Sequence, residues 1–421
     1  MAGIADEISS SANFMSMSPT SLSSPYNPWL RDLKSDERGL LLIHLLLNCA
    51  THVAAGNMDQ ANAFLEKISF FASPDGDTMQ RIASYFTEAL ARRLLRSFPG
   101  VYRALNPELS DSSFASRFHA RCLFLNLFPF LRLSYLVSNQ AILETMDGEK
   151  VVHVVDLSGS DPNQWIALLQ SLAARKDGPP HLRITAVGES SEFLSHMASI
   201  LSNEAEKLDI PFQFHAVISR LEALDVKSLR VKTGEALAIT SLLQLHPLLA
   251  AADDSATQRR HLSSKIDSFM SSLWSLSPKI MLITEQESNH NGSSLKERFM
   301  EALYYYAAMF DCLESTVPRQ SAERARVEKL LFGEEIKNII ACEGLERKER
   351  HEKLERWMKR LEMAGFWRVG LSYVGLIQAR RMLQRVGFDG YQVKEENGNF
   401  FLCWQERALF SVSAWSFRRC D

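Results

Sequence analysis

Hydrophobic and polar positions along the chain fall into two regimes. Residues 40–55, 58–71, 78–95 and 113–144 repeat apolar side chains at three-to-four spacing, which gathers them on one face of a helix. Gly56 and Pro74-Asp75-Gly76 interrupt the repeat where helices must stop. The pattern predicts a leucine-rich helical block. Beyond it, short apolar runs at 151–157, 182–187, 212–217, 236–240 and 279–285 alternate with amphipathic stretches. That order predicts a doubly wound parallel sheet with helical crossovers. Residues 391–395, 399–405 and 409–415 alternate or run apolar around Asn397-Gly398, a strong hairpin signal, so antiparallel strands should end the sheet.

Five parallel strands closed by a C-terminal antiparallel hairpin predict an α/β, Rossmann-like fold resembling the class I S-adenosylmethionine-dependent methyltransferases. Fold alone settles no function. Between residues 285 and 391 lie roughly a hundred residues where one crossover helix would suffice. Helical patterns at 295–313, 322–342, 347–364 and 372–386 fill that space. We read residues 28–146 as a leucine-rich cap region and 147–421 as the α/β core, with an insertion at about 315–365 adding to an α-helical cap that offers a partner surface.

Segment 151–165 carries the densest chemistry. Val152, His153, Val154 and Val155 suit a strand buried on both faces, with Asp156 at its carboxyl end. Asp161 is a helix cap, Pro162 takes the first helical position, and Gln164 is placed to reciprocate the cap. This is the strand, loop and helix of a nucleotide site. Such loops need glycines for tight turns and close approach to phosphate, yet only Gly159 is present. The missing glycines argue against a cofactor and against catalysis. His153 reads as a hydrogen-bonded core histidine with no carboxylate or cysteine cluster beside it, and Asp156 as an acid that holds loop amides. Glu189 stands where a methyltransferase would hold ribose hydroxyls, which keeps a methyltransferase or small-molecule binder open as an alternative.

Two stretches, 42–46 and 245–249, fit Leu-x-x-Leu-Leu. A helix turn of this kind docks in a partner's groove, while the same spacing builds a core face, the commoner outcome. The second stretch has Pro247 where a helix can begin, so Leu245, Leu248 and Leu249 are the candidate partner-binding residues. In residues 343–360, Glu346 with Arg350, Glu349 with Lys353, Glu352 with Arg356 and Glu355 with Lys359 form an i,i+4 ladder, read as a solvated helix face rather than a phosphate track. Ser413, Ala414 and Trp415 end the last strand, where the tryptophan is expected to be a buried anchor.

Composition narrows the function classes. With 421 residues, 46% hydrophobic and 23% charged, the chain can bury a large core. A formal net charge of -3 argues against gripping DNA through a generally basic surface, although a local positive groove between cap and core remains an alternative. Six scattered cysteines, Cys49, Cys122, Cys312, Cys342, Cys403 and Cys420, suggest reduced thiols rather than disulfides, and no metal site is expected. Residues 1–27 are rich in serine and read as a disordered tail without the order of a signal peptide. No apolar run looks long enough to span a membrane, so the chain is expected to stay inside the cell.

The helical leucine block is followed in order by several short elements. They are Val152-His153-Val154-Val155-Asp156, Leu182-Arg183-Ile184-Thr185, Gly234-Glu235-Ala236-Leu237-Ala238, Leu245-His246-Pro247-Leu248-Leu249, Glu346-Arg347-Lys348-Glu349-Arg350-His351-Glu352 and Ser413-Ala414-Trp415. In this sequence the chain resembles the plant GRAS family over nearly all of residues 28–421. The serine-rich tail and the segment Phe332-Gly333-Glu334-Glu335-Ile336-Lys337-Asn338 are similar to its scarecrow-like subgroup. The chain departs from the family at Val154 and Val155, where isoleucines are usual, at Lys348, where valine is usual, and in 47–51, which lacks the glutamate of a Leu-x-Cys-x-Glu element. The resemblance implies a non-enzymatic, nuclear transcription regulator. It implies partners among other GRAS proteins, including the DELLA type, and indeterminate-domain zinc-finger proteins, with DNA contacted indirectly, in gibberellin signalling and root development. Homo- or heterodimers would fit it, and neither a cofactor nor a membrane is implied.

Overall fold

The computed structural model describes residues 34–105, 111–159, 161–250 and 265–417. The tail 1–27 and Cys420 lie outside them. The described residues fall into two compact units that part between Leu94 and Leu95. Helices after that point, which the leucine pattern grouped with the first three, belong to the larger unit.

In the first unit, helices α1 (Ser35–Ala55), α2 (Met58–Phe71) and α3 (Thr78–Leu95) follow the apolar repeat closely. Gly56 ends α1 in the left-handed region at φ 74°, a conformation open to glycine without strain. Leu42, Leu45 and Leu46 of the first Leu-x-x-Leu-Leu stretch are buried, so they are packing residues. Contrary to the expectation from the apolar runs, α1 has the length and mean hydropathy (1.3) of a membrane-crossing helix. Its buried leucines, and Asp36, Glu37 and Arg38 in its first turn, equally suit a core helix.

The second unit opens with α4 (Pro99–Leu105), α5 (Asp111–Leu127) and α6 (Pro129–Thr145). One long helix is expected over 113–144, but α5 and α6 meet at 81°. Pro129 is the cause: without an N–H it suits the start of a new helix and not the interior of an old one.

Among the described residues the sheet has nine strands: β1 (Val151–Asp156), β2 (His181–Gly188), β3 (Phe212–Ile218), β4 (Ala236–Leu242), β5 (Ile280–Gln286), β6 (Phe366–Val369), β7 (Tyr391–Glu396), β8 (Asn399–Trp404) and β9 (Arg407–Phe417). Their order is β3-β2-β1-β4-β5-β9-β8-β7, with the first five parallel and the rest antiparallel. This is the predicted α/β arrangement. Crossovers α7 (Pro162–Ala173), α8 (Ser191–Lys207) and α9 (Lys265–Ser275) join the parallel strands. Every residue of β4 and β5 is buried, as strands covered on both faces require. The β7–β8 turn has Asn397 and Gly398 at φ 53° and 77°, the pair of left-handed residues a type I′ hairpin needs. A Cβ on Gly398 would also lie 2.8 Å from the Gly370 Cα.

Strand β6 is not foreseen by the sequence. β9 is long enough that β8 pairs with its first part while β6 pairs with its last four residues, from Phe366 opposite Phe417 to Val369 opposite Ala414. Four residues are too few to show alternation against a helical prediction on either side.

The region after β5 holds α10 (Leu295–Thr316), α11 (Ala322–Val327), a π-helical turn at Glu328–Phe332, α12 (Gly333–Ala341), α13 (Leu354–Met363) and, after β6, α14 (Tyr373–Val386). Helix α5 packs on α11 and on the π-helical turn, with the Phe332 ring 5.9 Å from that of Phe124 and 6.1 Å from that of Phe128. The predicted helix over 347–364 starts only at Leu354. Residues 347–353 run without regular structure, and the reason lies in what they bury.

Candidate functional site

At the carboxyl end of β1, Asp156 accepts from the Ser158 amide at 2.8 Å and from the Trp165 indole at 3.1 Å. Burial raises its pKa, and those donors work against that rise. Ser158 Oγ in turn accepts from the Leu242 amide at 2.7 Å. In open α/β sheets the ligand crevice lies where the strand order reverses, between β1 and β4 here. The β1 loop's own hydrogen bonds bridge the ends of those two strands. Gly159 is needed for packing: at φ 48°, any Cβ there would sit 2.5 Å from the Val187 carbonyl oxygen. Asp161 caps α7 through the Asn163 amide at 2.9 Å. Gln164 does not reciprocate, since its side chain points inward to Asn139 at 3.4 Å. Glu189 pairs with Arg220 at 2.6 Å.

His153 corrects one expectation. A carboxylate does accompany it: Nδ1 faces Glu235 Oε2 at 3.0 Å, while Nε2 meets the Thr185 hydroxyl at 2.9 Å. Arg183 binds the same glutamate at 2.8 Å and the Arg230 carbonyl at 2.7 Å. Burial, reinforced by the Arg183 charge, lowers the His153 pKa to about 4. The imidazole is neutral at pH 7 and ties β1 to the turn before β4.

The leucines proposed for partner binding are core residues. Leu245, Leu248 and Leu249 are buried among Leu221, Ile239, Ile266, Phe269 and Met270. The turn His246–Leu249 is a 3-10 helix started by Pro247, and it presents no leucine to solvent. A partner reaches these side chains only if the turn opens. Trp415 is fully buried in the same cluster, and its indole donates to Ser413 Oγ at 2.9 Å.

What the turn does present, inwardly, is His246. Its Nδ1 meets Glu285 Oε2 at 3.0 Å and its Nε2 meets Glu349 Oε2 at 3.1 Å, while Glu285 Oε1 accepts from the Leu245 amide at 2.8 Å. Burial alone would lower the His246 pKa, but Glu285 and Glu349 outweigh it and hold the value at about 10. His351 Nε2 lies 3.2 Å from the same Glu349 oxygen, and His351 Nδ1 is 2.9 Å from His290 Nδ1. His290 continues to Ser288 Oγ at 2.9 Å, which donates to Glu301 at 3.0 Å. Tyr306 donates to Glu335 at 2.7 Å. Burial, with Glu349 adding its charge, raises Glu335 to about 8.

This network explains the irregular segment. The i,i+4 ladder survives only at Glu352–Arg356 and Glu355–Lys359. Glu346 pairs with Arg96, Arg350 donates to the Asn291 side chain and the Gly344 carbonyl, and Glu352 takes Asn291 and Arg360. Arg347, Arg350, His351 and Glu352 are all buried. A helix would have pointed half of them outward. Glu349 and His351 stand two residues apart, the spacing that shares a face in an extended chain. That spacing is present in the sequence, overlaid by the i,i+4 charge pattern of the same run. Beyond Glu301 a polar cleft of about 420 Å³ sets Glu297, Glu301 and Glu355 against Arg298, Lys353 and Arg356, a balance that favours no phosphate.

Comparison with known proteins agrees with the order of elements. The GRAS domain family matches residues 42–416. The chain belongs to the GRAS family. It is 54% identical to Scarecrow-like protein 3 of Arabidopsis thaliana, over 94% of this chain and 93% of that one. GRAS family protein TF80 of Medicago truncatula is 45% identical over 94% and 99%, and DELLA protein RGL1 of Arabidopsis thaliana is 37% identical over 92% and 72%. The crystal structure of SCL7 from Oryza sativa superposes with a TM-score of 0.76 at 30% identity, covering 89% of this chain and 99% of that one. GRAS proteins are plant transcriptional regulators and typically not enzymes.

Proposed function

We propose that this GRAS protein is a nuclear transcriptional co-regulator that reaches promoters through DNA-bound proteins, in gibberellin signalling and root development. Family membership across residues 42–416 carries the reading. Similarity to DELLA proteins supports the gibberellin context. The loop hydrogen bonds at the β1–β4 crevice and the net charge of -3 argue in the same direction, against small-molecule chemistry and against unaided DNA binding. Its partners would be DELLA-type and other GRAS proteins and zinc-finger proteins of the indeterminate-domain type. The contact would use exposed surface, with Leu245, Leu248 and Leu249 supporting it from the core.

A mobility-shift experiment with the full chain tests the tethering. A promoter fragment should be shifted by the zinc-finger protein and supershifted on adding this chain, and should not be shifted by this chain alone at physiological salt. Tight, sequence-specific binding by the chain alone would overturn the tethered reading. Saturable heat on titration with S-adenosylmethionine would reopen the enzymatic one.

A further inference from the structure

We propose that His246 Nε2, Glu349 Oε2 and His351 Nε2 bind a divalent metal ion of the zinc class. One ligand atom from each of the three residues lies within 4.8 Å of the other two, and Nε2 of His246 and of His351 are 3.1 and 3.2 Å from the shared Glu349 Oε2. Tetrahedral zinc with bonds of ~2.0–2.1 Å places neighbouring ligand atoms ~3.3 Å apart. The two edges to the carboxylate need only small adjustments, while the edge between the imidazoles is within 4.8 Å and would close as the ion binds. Two imidazoles and a carboxylate suit zinc and its neighbours rather than magnesium or calcium, which prefer all-oxygen shells.

The hydrogen-bond chain leaves a lone pair aimed at this point. Ser288 Oγ gives its proton to Glu301, so toward His290 Nε2 the hydroxyl oxygen accepts. His290 therefore carries its proton on Nε2 and accepts at Nδ1 from His351 Nδ1–H. Neutral His351 then turns a bare Nε2 toward the Glu349 carboxylate oxygen, 3.2 Å away but outside hydrogen-bond geometry. Two electron-rich atoms 3.2 Å apart repel unless a cation joins them.

The surroundings are those of a built site. Metal-bound histidines usually donate their second nitrogen to a fixed acceptor that sets tautomer and ring orientation. Here Glu285 takes Nδ1 of His246 and His290 takes Nδ1 of His351. Glu349 keeps 23% of its side chain exposed, which provides an entry path. Without metal, a proton on His246 Nε2 bridges to Glu349, and an arriving ion displaces it. The bound ion would staple the 245–249 turn to the irregular 347–353 segment.

Cobalt titration of the full chain, stripped with chelator, tests the site. Visible d–d bands should saturate at one ion per chain and vanish on adding zinc. His351→Ala and Glu349→Gln should each abolish the bands, and Glu285→Gln should weaken binding ~10–100-fold. Circular dichroism on each variant checks folding, and Glu349→Gln decides if His351→Ala does not fold. A wild-type chain without cobalt bands holds only the proton and overturns the proposal. Thiolate charge-transfer bands, or d–d bands unchanged in Glu349→Gln, overturn it equally by moving the ion elsewhere.

Discussion

Replacing Trp415 with alanine tests whether the last strand is an energetic anchor of the sheet. The ring is fully buried among residues that include Met281, Ile283, Trp357, Leu361 and Phe366, and its residue pairs with Met281 across the β5–β9 ladder. Burying a tryptophan removes ~200 Å² from water, worth ~5 kcal/mol at ~25 cal/mol per Å². Alanine keeps a small part of this and the cavity adds a cost, so the loss should be ~3–5 kcal/mol. Ser413 Oγ also loses the indole donor, a further ~1 kcal/mol unless water replaces it. Urea unfolding followed by circular dichroism at 25 °C would measure it, with Met363→Ala as control. Met363 is 86% exposed, and its loss should change stability by no more than ~0.5 kcal/mol. If Trp415→Ala costs less than ~1 kcal/mol at an unchanged m value, the site collapses freely and the anchor argument fails.

Three further outcomes follow from the same contacts. Gly159→Ala should lower stability by ~1–3 kcal/mol, because both its φ of 48° and the Val187 carbonyl oxygen oppose a Cβ; an unchanged thermal midpoint would contradict the packing role given to this glycine. Arg298 is fully buried and donates to the Gly292, Ser293 and Ile339 carbonyls and to Glu343. Arg298→Met should cost ~3–5 kcal/mol by leaving those acceptors unmatched, and a midpoint shift under 1 °C would refute this. His153 has its folded pKa lowered from 6.5 to about 4, so the unfolded chain binds more protons in that window and stability is lost as pH falls from 6.5 toward 4. The contribution is on the order of 3 kcal/mol at ~1.4 kcal/mol per pKa unit. Burial is the main source of that shift, with the Arg183 and His215 charges adding to it and Glu235 opposing it. His290 and His351, also lowered by burial, act with the same sign, so the measurement is the difference between wild type and His153→Gln, whose pH profile should be flatter. Parallel profiles would exclude His153 as the source.

The sequence determined most of the scaffold by itself. Apolar periodicity located α1, α2, α3, the five parallel strands and the Asn397-Gly398 hairpin, because each is specified by residues close in sequence: one buried face, one cap, one pair of left-handed turn residues. The loop after β1 was legible for the same reason, as Asp161, Pro162 and the scarcity of glycine act within a few residues. The ordered short elements were enough to identify the family. Tertiary structure alone decided what polar residues do once buried. His246, His290 and His351 are drawn together from separate segments, and no periodicity records a contact across such separations. The charged run after Glu343 had the spacing of a helix, yet its arginines and glutamates find stronger partners in Asn291, His290 and Arg360 than neighbouring turns could offer. In that run, burial of charge outweighs local helical preference, since an unmatched buried charge costs several kcal/mol and helix propensity only tenths per residue.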